Sequence, residues 1–230
     1  MKRDEWGFGF FITERGRIFL LYFLLLAGGL WHVLGWFQDL MRLLAGPMLM
    51  ALALVTLATM TATGTSNAWK RRSWLYSLAV VVTSHYIEWY GVRSGLIFGS
   101  YNYGRILQPQ VAGVPLAIGF AWLVMIWSSA AVAQRLLPQK LRRHALAFIM
   151  ATTMLMVAFD AVMEPAAMKL GYWTWRGGEI PAQNYLAWFA LSLAYAASGW
   201  GLRLFAEKLP ALAGHVYTAQ LCYFILVWIS

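Results

Sequence analysis

Residues 145–163 read ALAFIMATTMLMVAFDAVM, nineteen residues with a single charge, Asp160. A run this long and apolar matches the ~20 residues that an α-helix needs to cross the hydrocarbon core of a bilayer. It is entered through the basic cluster Lys140-Leu141-Arg142-Arg143 and left through Glu164-Pro165. Working outward, six further runs of similar length lie at 18–37, 43–63, 74–92, 115–135, 185–205 and 211–229. Backbone groups in lipid must be satisfied within each segment, and no strand-like alternation of about ten residues occurs. The sequence therefore predicts an all-α, polytopic membrane protein with about seven transmembrane helices in one domain over residues 1–230.

Composition agrees with that reading. Hydrophobic residues make up 61% of the chain and charged residues 12%, against roughly 45–50% and about 25% in a soluble domain. The 13 Trp, 11 Tyr and 13 Phe and the mean hydropathy of +0.60 suit a chain whose solvent is lipid. The net charge of +9 does not point to nucleic acid, because the basic residues form short clusters between apolar runs. Cys222 stands alone, so it can neither close an internal disulfide nor build a cysteine metal site.

Those clusters set an orientation, because loops rich in Lys and Arg stay cytoplasmic. One side carries Lys2, Arg3, Arg15, Arg17, Lys70, Arg71, Arg72, Arg135, Lys140, Arg142, Arg143, Arg203 and Lys208, and the other only Arg42, Arg93, Arg105, Lys169 and Arg176. The expectation is a multi-pass protein of the cell (cytoplasmic) membrane, with a cytoplasmic N-terminus, an outside C-terminus and a retained first helix.

Compared with itself, the chain contains a repeat. Glu88-x4-Arg93-x-Gly95 is matched by Glu164-x4-Lys169-x-Gly171, Tyr101-Asn-Tyr103 by Trp173-Thr-Trp175, and Pro115-x6-Trp122 by Pro181-x6-Trp188. The prolines follow Val114 and Ile180 and suit the first turn of a helix. Two parallel copies of one helical hairpin, helices 3–4 and 5–6, would bring Glu88 and Glu164 face to face near the outer surface.

Ionisable groups inside a bilayer cost at least ~2.5 kcal/mol each, so each asks for a reason. Asp160 and Glu164 share a helix face, and His85 lies one turn below Glu88. In one reading Glu88 pairs with Arg93 and Glu164 with Lys169 as interfacial anchors. In the other they line a polar pocket in the outer leaflet, with His85 as a hydrogen-bond partner of Glu88. A metal is not expected, because a di-metal bundle needs about four carboxylates and two histidines. His32 and His215 have no carboxylate at ligand spacing and read as packed helix residues. The last run, from Ala211, lacks the lysine of a retinal Schiff base, and no phosphate loop, serine elbow, histidine-rich desaturase pattern or paired aspartate cluster occurs.

The stretch 88–122, EWYGVRSGLIFGSYNYGRILQPQVAGVPLAIGFAW, and the stretch 160–188, DAVMEPAAMKLGYWTWRGGEIPAQNYLAW, together resemble the integral-membrane carotenoid hydratases of the bisanhydrobacterioruberin hydratase type, within the carotenoid biosynthesis protein family. The resemblance is carried by Phe98-Gly99-x-Tyr101-x-Tyr103, Gly113-Val114-Pro115 and Asp160-x3-Glu164-Pro165. The chain departs from the pattern at Gln108, Glu164 and Glu179.

The resemblance implies addition of water to a terminal C=C of an acyclic carotenoid held in the bilayer, giving a tertiary alcohol without any cofactor. Asp160, Glu88 and Glu164 are then the catalytic candidates. His85, Phe98, Tyr101, Tyr103, Trp173, Trp175, Asn184 and Trp188 are the candidates for substrate contact. A lipid-buried carboxyl suits the chemistry, because desolvation favours its neutral, proton-donating form. Tyr101, Tyr103, Trp173 and Trp175 could stabilise a tertiary cation by ~2 kcal/mol or more when desolvated, although an interfacial aromatic belt would use the same residues. Asp160, one turn deeper than Glu164 and without a basic partner in reach, is the expected proton donor. Two other classes share these features: an end-group cyclase, in which a neighbouring double bond captures the cation, and a non-enzymatic carrier of a polyprenoid.

Overall fold

The computed structural model describes residues 13–230; Lys2 and Arg3, counted above for orientation, lie outside the described residues. The described chain folds into eight helices and four short strands: α1 (Glu14–Leu34), α2 (Gln38–Thr63), α3 (Asn67–Ser94), β1 (Tyr101–Tyr103), β2 (Gln110–Val111), β3 (Val114–Pro115), α4 (Leu116–Leu136), α5 (Gln139–Arg142), α6 (Ala145–Lys169), β4 (Trp173–Trp175), α7 (Ala182–Gly201) and α8 (Ala211–Ile229). Five of these helices, α1, α2, α4, α6 and α8, are long and apolar enough to cross a membrane. The other two long helices are more polar. α3 carries Lys70, Arg71, Arg72, His85, Glu88 and Arg93, and α7 carries Gln183 and Asn184.

Helix boundaries follow local chemistry. Thr13 and Ser66 each accept a hydrogen bond from the backbone N–H three residues on, satisfying a donor that the first turn leaves free. Pro115, Pro181 and Pro210 stand immediately before α4, α7 and α8. α1 stops at Leu34, three residues short of the hydropathy boundary, because Gly35 turns left-handed (φ 69°) and closes the last turn. α7 covers 182–201 rather than 185–205, since the chain breaks from helix after Gly201 and Arg203 takes a left-handed φ of 57°.

Two sets of contacts define the ends of the bundle. At one end Trp69 Nε1 donates to the Leu204 carbonyl (3.2 Å), Gln134 Nε2 to the Phe205 carbonyl (2.8 Å), and the Ala211 N–H to Glu14 (2.8 Å). At the other, β1 pairs with β4 and Lys169 Nζ donates to the Trp228 carbonyl (2.9 Å). This second end, called the ribbon end below, carries the site.

α4 is the central helix, with fifteen of its 21 residues buried. α2, α3, α6 and α8 pack around it, α7 lies against α6, and α1 against α8. Without a hydrophobic drive between helices in lipid, close approach and interhelical hydrogen bonds hold such a bundle. Gly119 of α4 faces the Val81 carbonyl of α3 so closely that a Cβ would sit 2.7 Å from it. Trp127 Nε1 donates to Ser77 Oγ (3.0 Å), Tyr76 to the Tyr195 carbonyl (2.8 Å) and Tyr217 to the Leu155 carbonyl (2.9 Å). Leu75, Leu78, Leu146 and Leu186 are all at least 60% exposed on the outside, as lipid-facing side chains would be.

The strands were not anticipated from hydropathy. They are two or three residues long and form two separate antiparallel pairs, too short to register as a period. The register of the first is Tyr101 opposite Trp175, Asn102 opposite Thr174, and Tyr103 opposite Trp173. The ribbon sits tightly on the chain beneath it: the Gly104 N–H donates to the Tyr172 carbonyl (2.8 Å), and a Cβ on Gly104 would collide with the Gly171 carbonyl.

Candidate active site

Glu88 stands in the last two turns of α3 and Glu164 in the second half of α6. Both helices lead directly into the loops that carry β1 and β4. Alternate residues of a strand share one face, so Tyr101 and Tyr103 point the same way, as do Trp173 and Trp175, while Asn102 and Thr174 face outward and are exposed. The ribbon is thus an aromatic roof over two carboxylates. Tyr101 and Trp175 lie 4.8 Å apart by ring centroid, Tyr101 and Tyr103 5.4 Å, and Tyr103 and Trp173 6.0 Å, edge to face.

Each carboxylate is held by the rings of its own loop. Tyr101 and Tyr103 donate to Glu88 Oε2 at 2.5 and 2.8 Å, and Trp122 Nε1 donates to Oε1 at 3.2 Å. Trp173 and Trp175 Nε1 both donate to Glu164 Oε2 at 2.9 Å. Glu164 Oε1 receives only a long 3.4 Å contact from Asn184 Nδ2, whose main acceptor is Asp160 Oδ2 at 2.9 Å. Asp160 Oδ1 has no hydrogen-bond partner among the described residues. Burial, reinforced by the neighbouring Glu88, pushes the Tyr101 and Tyr103 hydroxyls above the ordinary tyrosine value, so both remain protonated donors.

Glu88 and Glu164 line one cavity of about 70 Å³ together with Phe98, the four ribbon rings, Asn184 and Trp188. Its remaining walls are mainly apolar, among them Ile118, Met125, Phe159 and Met163. Nine of the eleven sequence candidates therefore meet at one place. Asp160 and His85 are not among the lining residues. Asp160 is fully buried and accepts a hydrogen bond from Asn184, which does line the cavity. His85 does not bond Glu88, and its Nδ1 is buried without a partner among the described residues; Glu88 instead accepts from Tyr101, Tyr103 and Trp122.

The expected ion pairs are not formed either. Five residues along a helix is about 1.4 turns, which turns Arg93 and Lys169 away from their glutamates. Arg93 lies over the Trp89 ring at 4.7 Å, and Lys169 caps carbonyls at the end of α8. His215 bonds the Tyr22 hydroxyl (3.2 Å) and His32 packs edge-on to Tyr223, as packed helix residues do. Among the described residues no group of three or more His, Cys, Asp or Glu side chains is arranged to hold a metal ion.

Sequence reasoning missed Trp122 as a site residue. It donates to Glu88 and stacks on Trp188 at 4.0 Å and 22°; its place seven residues after Pro115, matching Trp188 after Pro181, was the available signal. The contributions of α2 and α8, through Leu49, Gln220 and Phe224, carry no local sequence signal.

Comparison with known proteins identifies the family. The sequence model of the carotenoid biosynthesis protein family matches residues 45–229, which include every side chain named as lining the cavity. The chain belongs to that family. It is 29% identical over 124 residues to the bisanhydrobacterioruberin hydratase of Haloarcula japonica. The match covers 51% of this chain and 41% of that relative, so the chain spans less than half the relative's length. No solved structure matches the chain.

Proposed function

We propose that this member of the carotenoid biosynthesis family is a cofactor-independent hydro-lyase that adds water to a terminal C=C of an acyclic carotenoid within the membrane. The observation that carries the reading is a small, largely apolar cavity holding two buried carboxylates under a roof of four aromatic rings. Sites that engulf a drug-sized ligand occupy roughly 300–1,000 Å³, so a cavity of about 70 Å³ suits the end of a long molecule.

The hydrogen bonds divide the roles. Glu164 Oε1, nearly free of donors, carries the proton and delivers it to the less substituted alkene carbon. The tertiary cation faces the ribbon rings. Water forms the C–O bond and gives up a proton to Glu88, whose oxygens already act only as acceptors. The proton returns from Glu88 to Glu164 through water in the cavity, which closes the cycle. Asp160, not among the lining residues and bonded to Asn184, which is, is assigned as a positioning residue rather than the donor. Glu164 replaces it in that role because a donor must reach the alkene.

The same reading takes all seven long helices as spans, with the ribbon end outside and the N-terminus cytoplasmic, following the Lys and Arg distribution. It also takes α3–α4 and α6–α7 as copies of one hairpin. The two-fold register of β1 on β4, the Trp122–Trp188 stack and the shared cavity of Glu88 and Glu164 support this.

Expression in hosts accumulating different acyclic carotenoids tests the function. A product heavier by one water per reacted end is expected. An isomer of equal mass would indicate a cyclase, and unchanged pigment with every substrate would indicate a carrier.

A further inference from the structure

A second cavity, of about 390 Å³, lies at the ribbon end. Its character is opposite to the first: His32, Gln38, Arg42, Lys169 and Ser230 are among its walls. A space this large with several polar partners holds water readily.

The two cavities are lined by neighbouring residues of the same three elements. On α2, Ala45 lines the outer cavity and Leu49 the inner. On α8 the corresponding pair is Val227 and Phe224, and the chain neighbours Tyr172 and Trp173 line one each. Three or four residues of helix rise about 4.5–6 Å. Roughly one layer of side chains therefore separates a polar store from the two carboxylates.

We propose that the outer cavity is the water store and entry route of the inner one, and that the layer around Ala45 decides whether the cation is captured by water. This rests on the hydratase reading and deepens it. A tertiary cation in a dry pocket loses a proton or is attacked by a neighbouring double bond. It becomes an alcohol only if a water oxygen is in place to form the C–O bond while Glu88 takes the released proton. The mainly apolar inner walls offer water few partners of their own, so supply through the layer between the cavities sets the partition.

The test uses the full chain in membranes, with Ala45→Cys in a Cys222→Ala background, assayed before and after labelling with a benzyl methanethiosulfonate. The protein is folded before it is plugged, so loss of folding cannot mimic the effect. Labelling should lower the hydrated product about tenfold or more, leave bound carotenoid in place and be reversed by a thiol reductant, with residual turnover appearing as an isomer of unchanged mass. Full hydration by the labelled protein would overturn the proposal. So would loss of bound pigment on labelling, which would put substrate rather than water in the outer cavity. If the unlabelled and wild-type proteins both form no hydrated product, the hydratase reading itself fails.

Discussion

Replacing Glu164 by Gln removes the acidic proton and keeps the size and shape of the side chain, which makes it the sharpest probe of the proposed acid. Glu164 is 3% exposed and accepts two indole N–H groups on Oε2 at 2.9 Å each. A glutamine oxygen in that place keeps both bonds. Its NH2 then falls at the Oε1 position, 3.4 Å from the Asn184 Nδ2 that now donates there, so two donors meet. Rotating Asn184 relieves that clash but withdraws the 2.9 Å bond to Asp160. One buried polar group is left unsatisfied either way, at a cost of about 1–3 kcal/mol, which lowers the melting temperature without unfolding the chain. Activity should fall much further, by the ~10²–10⁴ that a positioned general acid contributes. Asp160→Asn keeps an acceptor for Asn184 and does not touch the cavity, so its loss should be about tenfold. Both are measured as hydrated product per amount of folded protein, with thermal unfolding in detergent as the control. A Glu164→Gln protein with more than a tenth of wild-type turnover beside an inert Asp160→Asn protein would refute the assignment and return the proton to Asp160.

Gln134 makes three hydrogen bonds from α4 to the 205–209 loop, to the carbonyls of Phe205 and Glu207 (both 2.8 Å) and from the Leu209 N–H (3.0 Å). At about 1 kcal/mol each, Gln134→Ala should cost about 3 kcal/mol, read as a lower melting temperature with the product mass unchanged. Tyr101 and Tyr103, both pushed above the ordinary value, should stay neutral in the folded protein through roughly pH 9–11. A Tyr101→Phe, Tyr103→Phe variant should therefore leave the tyrosinate absorbance of the folded protein unchanged over that range. Their contribution to stability is present below the unfolded value of ~10 and declines as pH rises above it. Cysteines placed at Asn102 and Gly178 in a background without Cys222 should label from outside the cell with an impermeant reagent; labelling only from the cytoplasmic side would reverse the orientation.

Much was legible in the sequence because it is encoded locally. A bilayer sets the length of each apolar run, a helix satisfies its own backbone, and a carboxylate in such a run must have a purpose. The helical, membrane-type character of the chain, the charged residues of α3 and α6, and the matching Tyr-x-Tyr and Trp-x-Trp of the two loops could therefore be read without coordinates, although only five of the seven expected runs form helices long and apolar enough to cross a membrane among the described residues. Partnership could not. Glu88 with Arg93 and Glu164 with Lys169 stood at a spacing of five, yet helical rotation parts them. The partners are the rings of the loop after each helix, Tyr101 and Tyr103 for Glu88 and Trp173 and Trp175 for Glu164, set over one cavity by a ribbon that pairs Tyr101 with Trp175 and Tyr103 with Trp173. Depth along a single helix, with no basic residue in reach, made Asp160 the carboxyl expected to stay protonated and act as donor. The packing of α7 on α6 puts Asn184 in the cavity lining and in a hydrogen bond to Asp160, which is itself not among the lining residues, because which side chain reaches a shared space depends on the neighbouring helix and not on its own alone.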